Sequence, residues 1–209
     1  MLNLNEHRRH LFISNFLFTL IFQNLNMRKI ILFITICFFF CLCAFKNNAQ
    51  QISLADIKVQ MIKDWERAKA YTISYLNAMP PGKYSYKAVD SIRSFAQQML
   101  HLAQGSFLLM SNASDDQPPA FTKSDLENSA TAQGKDSVVY YVTASYDYCI
   151  NAVKNSDINK WGEKKKIFGL EETRFALMQK AFEHQTHHRG QTTIYIRLQG
   201  IRPPNDRLF

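Results

Sequence analysis

Four stretches of the chain carry apolar residues at steps of three and four, the spacing that lines one face of an α-helix. The first begins at Leu54, is about 26 residues long and ends at Pro80. The second runs from about Asp90 to Met110, with Asp90 or Ser91 placed to cap its first turn. Both stretches are predicted to be amphipathic helices.

Two further helical patterns occupy the C-terminal half of the chain. The third extends from Gly134 past Val138 to about Ala152. The segment KNSDINKWGEKKKIFG follows without periodicity and is predicted to be a connection. The fourth pattern begins after Gly169 and continues to about Gln199. We therefore expect four long helices joined by loops.

The ends of the fourth pattern differ in composition. Glu171 and Glu172 suit the positive end of a helix dipole, so they are predicted to lie in the first turn. Residues 192–199, TTIYIRLQ, have the composition of a strand, and a strand is the alternative there. The continued spacing of three and four favours a helix. With no convincing alternating segment elsewhere, the pattern predicts an all-α four-helix bundle.

The first fifty residues do not follow this pattern. Met27 is followed by two basic residues, a long apolar run and a small-residue end at Ala49. This is the three-part layout of a secretory signal, so residues 27–49 are predicted to be a signal peptide that is cleaved after Ala49. Residues 1–26 are predicted to be an upstream extension or the result of a wrongly assigned start codon. The domain is then residues 50–209.

The leader decides where the domain is expected to reside. Cleavage would release it into the periplasm or outside the cell, without membrane contact. A retained leader, with an apolar run of about 16 residues, would anchor it in a membrane.

The charge and cysteine content of the domain also depend on the leader. Five of the 25 Lys and Arg residues but one of the 17 Asp and Glu residues precede residue 50, so the net charge falls from +8 to +4. So mild a charge, with one basic cluster at residues 164–166, argues against nucleic-acid binding. Cys149 is the one cysteine after residue 50, so stability must come from a core rather than from disulfides.

Histidines are concentrated in the segment EHQTHHRGQ, residues 183–191. On a helix His184 and His188 point the same way, whereas His187 lies to one side. Two imidazoles one turn apart can chelate a divalent ion if a facing helix supplies a third ligand, and His101 lies on such a helix. Three histidine ligands leave coordination positions open, as catalytic metals require. The alternative is hydrogen-bonded or solvated histidines without an ion.

The same motif argues against a zinc protease. HQTHH has the frame of H-E-x-x-H, but Gln185 stands where the protease motif has its glutamate base. A neutral amide cannot take up the proton that this mechanism removes. Glu183 is rotated by about 100° from His184 on a helix, so it is expected to be at most a hydrogen-bond partner of a ligand.

The segment HQTHHRGQTTIYIRLQGIRPP resembles the C-terminal helix of the DinB-like family of metal-dependent helical bundles. The segment MPPGKYSYKAVDSIRSFAQQMLHLAQG resembles the second-helix region of that family. The resemblance covers about residues 54–204. It implies an up-down-down-up four-helix bundle, often a homodimer, with a divalent ion such as nickel or zinc on His101, His184 and His188. Gly190 within the fourth helix costs about 1 kcal/mol relative to alanine, so a close helix contact is expected there.

Two functions of different classes are expected. The first is a metal-dependent hydrolase or transferase that acts on an unknown small molecule, with Gln191 and Tyr195 placed to polarise the substrate. The second is a non-catalytic metal-binding or interaction bundle. A closed shell of four protein ligands would favour the second, and an open cavity the first. Characterised relatives include thiol-dependent transferases, but low-molecular-weight thiols belong to the cytosol, and the leader predicts export.

Overall fold

The computed structural model describes residues 27–36 and 51–209. The chain divides into two units, residues 1–51 and 52–209. Residues 27–36 of the first unit are helical and exposed. The rest of the predicted leader, with its cleavage site after Ala49, lies outside the described residues. Among the residues described, no helix combines the length and the apolar character needed to cross a bilayer.

Four long helices make up most of the second unit. They are α1 (Leu54–Ala78), α2 (Phe95–Ala113), α3 (Lys135–Asn155) and α4 (Arg174–Arg197). The loops contain short 3-10 turns at Pro81–Lys83, Ala120–Lys123, Ala130–Ala132 and Ile158–Lys160. The prediction of a mainly helical chain is confirmed, and the predicted bounds of α1 differ from the observed ones by one residue.

Capping side chains decide where the first two helices begin. Ser53 and Asp56 form a capping box, in which each side chain accepts a hydrogen bond from the other residue's backbone N–H. Ser94 and Gln97 form the same arrangement at the start of α2. The predicted start of α2 near residue 90 is therefore wrong. Its reciprocal cap lies four residues later, where two orphan N–H groups are satisfied at once.

A β-hairpin lies between α3 and α4, where the sequence pattern predicts a connection. Strand β1 (Lys164–Ile167) pairs antiparallel with strand β2 (Leu170–Thr173), so the prediction of an all-α chain is wrong for these residues. The two-residue turn between them is Phe168-Gly169, and both residues have positive φ, 51° and 80°. This combination is typical of a type I′ hairpin turn. Strands of four residues are too short for a period of two to stand out in the sequence.

The hairpin changes the role of the two glutamates assigned to the first turn of α4. Glu171 lies in β2, 3.6 Å from the Lys164 ammonium group on the paired strand. Glu172 lies in the same strand, 3.2 Å from Lys180 of α4. Their placement at a helix dipole is therefore wrong. The Thr173 side chain caps α4 instead, by accepting a hydrogen bond from a backbone N–H of the first turn.

Contacts along the helices establish their relative directions. Helices α1 and α4 run in one direction, and α2 and α3 run in the other. The contacting pairs, in order along the helices, are Trp65–Phe182 and Tyr75–Thr193 between α1 and α4, Gln98–His188 and Ala113–Arg174 between α2 and α4, and Lys58–Ser156 and Lys69–Asp147 between α1 and α3. Helix α2 also packs against α3.

Burial explains why the strand-like end of α4 is helical. Tyr195 and Ile196 are buried, and the Tyr195 ring packs edge-on against Phe95 of α2. Only a helix directs these side chains to the core together with Thr192, which is fully buried one turn earlier. The helix continues to Arg197, so the preference for a helix over a strand is confirmed.

A buried polar network joins α1, α3 and α4. The Tyr146 hydroxyl donates a hydrogen bond to Gln185 Oε1 at 2.7 Å, and its oxygen lies 2.6 Å from the Thr72 hydroxyl. Arg189 also donates to Gln185 Oε1, at 2.8 Å, and its guanidinium lies 4.7 Å from the centre of the Tyr71 ring. All five side chains are buried. The network therefore fixes the rotation of α4 about its own axis.

Replacing Tyr146 with phenylalanine is expected to destabilise the fold by about 1–3 kcal/mol, because Gln185 and Thr72 each lose a buried partner. Urea denaturation measures this change. Tyr140→Phe is the matched control on the same helix, since Tyr140 is 58% exposed and its substitution should change stability by less than about 0.5 kcal/mol. Equal effects of the two substitutions would contradict a stabilising network.

Candidate metal centre

The structure brings together the three histidines that the sequence singles out. His101 of α2 faces His184 and His188 of α4, and the centres of the three rings are 4.4 to 5.3 Å apart. One ring nitrogen from each residue lies within 4.8 Å of the corresponding nitrogens of the other two. Among the described residues, this group contains no further His, Cys, Asp or Glu. Three imidazoles at this spacing could hold one divalent ion.

Glu127 determines the orientation of His101. Its carboxylate oxygen Oε2 lies 2.8 Å from Nδ1 of His101, and its other oxygen accepts a hydrogen bond from Arg93 at 2.6 Å. A carboxylate only accepts hydrogen bonds, so this contact places a proton on Nδ1, and in the neutral ring Nε2 is then the nitrogen with the lone pair. Carboxylate–histidine pairs of this kind orient metal ligands and increase their basicity. The Glu127 backbone is held against α2, since its N–H donates to Gln104.

His188 has an equivalent partner in a neutral side chain. Its Nδ1 lies 2.9 Å from the amide nitrogen of Gln98, one turn before His101 on α2. A rotation of the amide group by 180° presents its oxygen instead, and that oxygen can accept a hydrogen bond from Nδ1–H. Both His188 and Gln98 are buried, at 7% and 2% exposure. Gln98 therefore orients the ring while leaving Nε2 for another partner.

His184 differs because its Nδ1 is buried without a hydrogen-bond partner among the described residues. The ring lies directly against the backbone of α2 at Gly105. A Cβ atom on Gly105 would lie 2.6 Å from Nδ1 and 2.7 Å from Nε2 of His184, closer than real Cβ atoms approach. A buried nitrogen without a partner costs free energy, and a divalent ion or an ordered water supplies the missing contact. The donor set and this orphaned nitrogen both fit a bound ion.

Burial keeps two of these histidines neutral. It lowers the pKa of His184 to about 4, and the nearby His101, His187 and Arg93 contribute in the same direction. Burial also lowers the pKa of His188 to about 3, again with the neighbouring imidazoles contributing. Both rings are therefore unprotonated at neutral pH. They can coordinate an ion without first losing a proton.

The other residues named from the sequence have different surroundings. His187 is exposed and outside the three-histidine group, and its Nε2 lies 2.9 Å from the amide nitrogen of Gln191. The Tyr195 hydroxyl donates to a backbone carbonyl at 2.7 Å. Glu183 is exposed, and among the described residues its side chain makes no hydrogen bond to the three histidines. Cys149 is buried, and burial raises the pKa of its thiol. None of these side chains is hydrogen-bonded to His101, His184 or His188 among the described residues.

Sequence reasoning missed Glu127, Gln98 and Gly105. Glu127 lies in a loop without periodicity, so no local signal marks it. A signal exists for Gly105, a glycine inside a helical pattern one turn after His101. The close helix contact predicted at Gly190 is wrong, because a Cβ there would have no neighbour within 4 Å. The close approach occurs on α2 instead.

Two cavities open beside His184. The larger, about 530 Å³, is lined by His101 and Glu127 together with residues of the loop after α2. The smaller, about 480 Å³, is lined by His187 and by residues of the hairpin and α4. A small molecule could therefore reach an ion held by the three histidines. This is the arrangement expected of a catalytic rather than a closed structural site.

Replacing Gly105 with alanine is expected to lower affinity for Ni²⁺ or Zn²⁺ at least about ten-fold, because the new methyl group displaces the His184 ring. Isothermal titration calorimetry measures this change. Gly190→Ala is the matched control within a helix. It should leave metal affinity unchanged and raise stability by about 0.5–1 kcal/mol, since alanine is the better helix former. Unchanged metal affinity in Gly105→Ala would show that His184 does not bind the ion.

Two solved structures resemble this fold. A DinB-like protein from Bacillus subtilis aligns with a TM-score of 0.54 and 19% sequence identity, over 72% of this chain and 96% of the other. A DinB-like protein from Bacillus cereus aligns with a TM-score of 0.58 and 16% identity, over 70% and 95%. At these identities the likeness establishes the fold alone.

The family comparison extends over most of the chain. No curated protein matches the chain. The model of the DinB family matches residues 47–208. The match includes all four helices, the hairpin and the three histidines, and it agrees with the resemblance seen in the histidine segment. The chain belongs to the DinB family.

Proposed function

We propose that this DinB-family protein binds a divalent metal ion through His101, His184 and His188. The observation that carries the proposal is the convergence of three ring nitrogens within 4.8 Å, contributed by two facing helices. The low pKa values of His184 and His188 and the Glu127 partner of His101 support it. Imidazole donors suit zinc and nickel, so these are the ions we propose.

We infer that the four helices form the up-down-down-up bundle of the family. The inference is supported by the parallel contacts of α1 with α4 and by the antiparallel contacts of α2 with α4 and of α3 with α1. In such a bundle, facing helices direct their inner side chains at a common point. This accounts for a ligand on α2 opposite two on α4.

We propose that the ion serves a hydrolytic or group-transfer reaction. When bound, a divalent ion supplies Lewis acidity to a substrate heteroatom. Glu127 is a positioning residue, because both of its oxygens are engaged by His101 and Arg93. The open cavities favour catalysis over a non-catalytic metal-binding bundle, for which a fourth protein ligand would be expected.

The proposal predicts about one bound Ni²⁺ or Zn²⁺ per chain. Replacing His101, His184 or His188 with alanine should abolish stoichiometric binding, because two imidazoles alone hold an ion weakly. Inductively coupled plasma mass spectrometry on purified and reconstituted protein measures the metal content. Metal-free wild-type protein after reconstitution would overturn the proposal.

His187→Ala is the matched control, because His187 lies beside His188 but outside the group. It should bind metal like the wild type. Glu127→Gln should bind the ion about 10–100-fold more weakly, since the amide orients His101 less well. Glu66→Gln, at an exposed position of α1 that lines neither cavity, should have no effect. Equal losses of metal binding in His187→Ala and His184→Ala would show that the ion is not bound specifically by the three-histidine group.

We propose in addition that residues 27–49 direct export of the domain. The proposal is supported by the basic, apolar and small-residue order from Met27 to Ala49. Intact mass spectrometry of protein recovered from the producing cell should give a chain that begins at Gln50. A mass that includes Met27, with the protein in the membrane fraction, would favour a retained anchor instead.

A further inference from the structure

The two cavities beside His184 share one exposed aromatic side chain. Phe168, at the tip of the hairpin, lines both of them, as does Leu109 of α2. Phe168 is 79% exposed. The side chain therefore lies where a molecule bound next to the histidines would meet the hairpin.

The conformation of Phe168 is unfavourable for its residue type. Its φ of 51° lies in the left-handed region, where a bulky side chain is uncommon. Type I′ turns strongly prefer Asn-Gly, and the second turn position here is indeed Gly169. An aromatic ring that is both exposed and unfavourably placed gains nothing from the core. Contact with a ligand would account for it.

Further apolar groups surround the ring. Leu108 of α2 lines the larger cavity and is 45% exposed, and Leu170 of β2 lines the smaller cavity and is 66% exposed. Together with Phe168 and Leu109 they form an apolar surface, which we name the Phe168 surface, next to a polar histidine centre. A ligand that covers it would remove all four side chains from water.

The charges around the cavities disfavour anions. The larger cavity is lined by Asp125 and Glu127, and its described lining residues include no lysine or arginine. The smaller cavity is lined by Glu183 and by an ion pair between Lys180 and Glu172. In the metal-free protein, a bound anion would face these carboxylates, and no unpaired lysine or arginine is among the lining residues. Repulsion between like charges in a cavity lowers the affinity for such a ligand.

We propose that the Phe168 surface binds an apolar ligand without a negative charge, and that Phe168 is the residue that selects it. Binding of this ligand does not depend on the proposed function. The further inference that the ligand is the substrate of the metal-dependent reaction rests on the proposed function. The ligand's polar atom would then lie toward the three histidines and its apolar body against the hairpin.

Two fluorescent probes with the same ring system test the proposal. N-phenyl-1-naphthylamine is uncharged, and 1-anilinonaphthalene-8-sulfonate carries one negative charge. Fluorescence titration of the purified protein in the presence of a chelator should give at least about ten-fold tighter binding of the uncharged probe. The chain has net charge +8, so nonspecific attraction would favour the sulfonate. A preference for the uncharged probe therefore reports the cavities.

The variant Phe168→Asn identifies the residue responsible. It should weaken binding of the uncharged probe about ten-fold or more, because an aromatic contact is lost. Its melting temperature should stay unchanged or rise, because Asn-Gly is the preferred turn. Ile194→Ala is the control, since Ile194 is 56% exposed and lines neither cavity. It should bind the probe like the wild type.

Equal or tighter binding of the sulfonate would overturn the proposal, as would unchanged probe affinity in Phe168→Asn. These outcomes are distinct from a failure of the proposed function, because metal content is measured independently. Probe preference in the presence of chelator supports the ligand site even if no ion binds. If the wild-type protein binds no metal but still prefers the uncharged probe, only the metal-dependent function is overturned.

Discussion

The close approach of α2 to α4 at Gly105 is the constraint on which the histidine centre depends. No side chain separates the α2 backbone from the His184 ring there, and a methyl group would overlap the imidazole. The antiparallel packing of these helices then places His101 opposite His184 and His188. A side chain at position 105 would displace the His184 ring and so change the spacing of the three histidines. The geometry of the centre is thus a consequence of helix packing.

Two sets of hydrogen bonds support this geometry, one made by the imidazoles themselves and one made by their neighbours on α4. On the α2 side, Glu127 and Gln98 each engage one imidazole through Nδ1. On the other side, Gln185 and Arg189 alternate with the histidines along α4 and join the buried network with Tyr146. Gln98 and the buried network therefore fix His188 and the rotation of α4, whereas the His184 ring is confined by its contact with the α2 backbone at Gly105. Such preorganisation favours ligand binding, since little ordering remains to be done.

The hairpin completes the surroundings of the centre. Its strands carry cross-strand charge pairs such as Lys164 with Glu171, and Phe168 at its turn lines the two cavities. The histidines therefore lie between a polar wall that includes Glu127 and an apolar wall from the hairpin. A site with one polar and one apolar side suits a ligand with a heteroatom at one end and an apolar body.

The sequence by itself determined the helical character of the chain, the helical end of α4 and the three histidines that lie together, because these depend on periodicity within each segment. It did not reveal the hairpin, since four-residue strands are too short to show alternation. Only the tertiary structure decided that Glu127 from an irregular loop orients His101, and that the close contact is at Gly105 rather than Gly190. Which residues of separate segments meet depends on how helices and loops pack, and no local pattern encodes that packing.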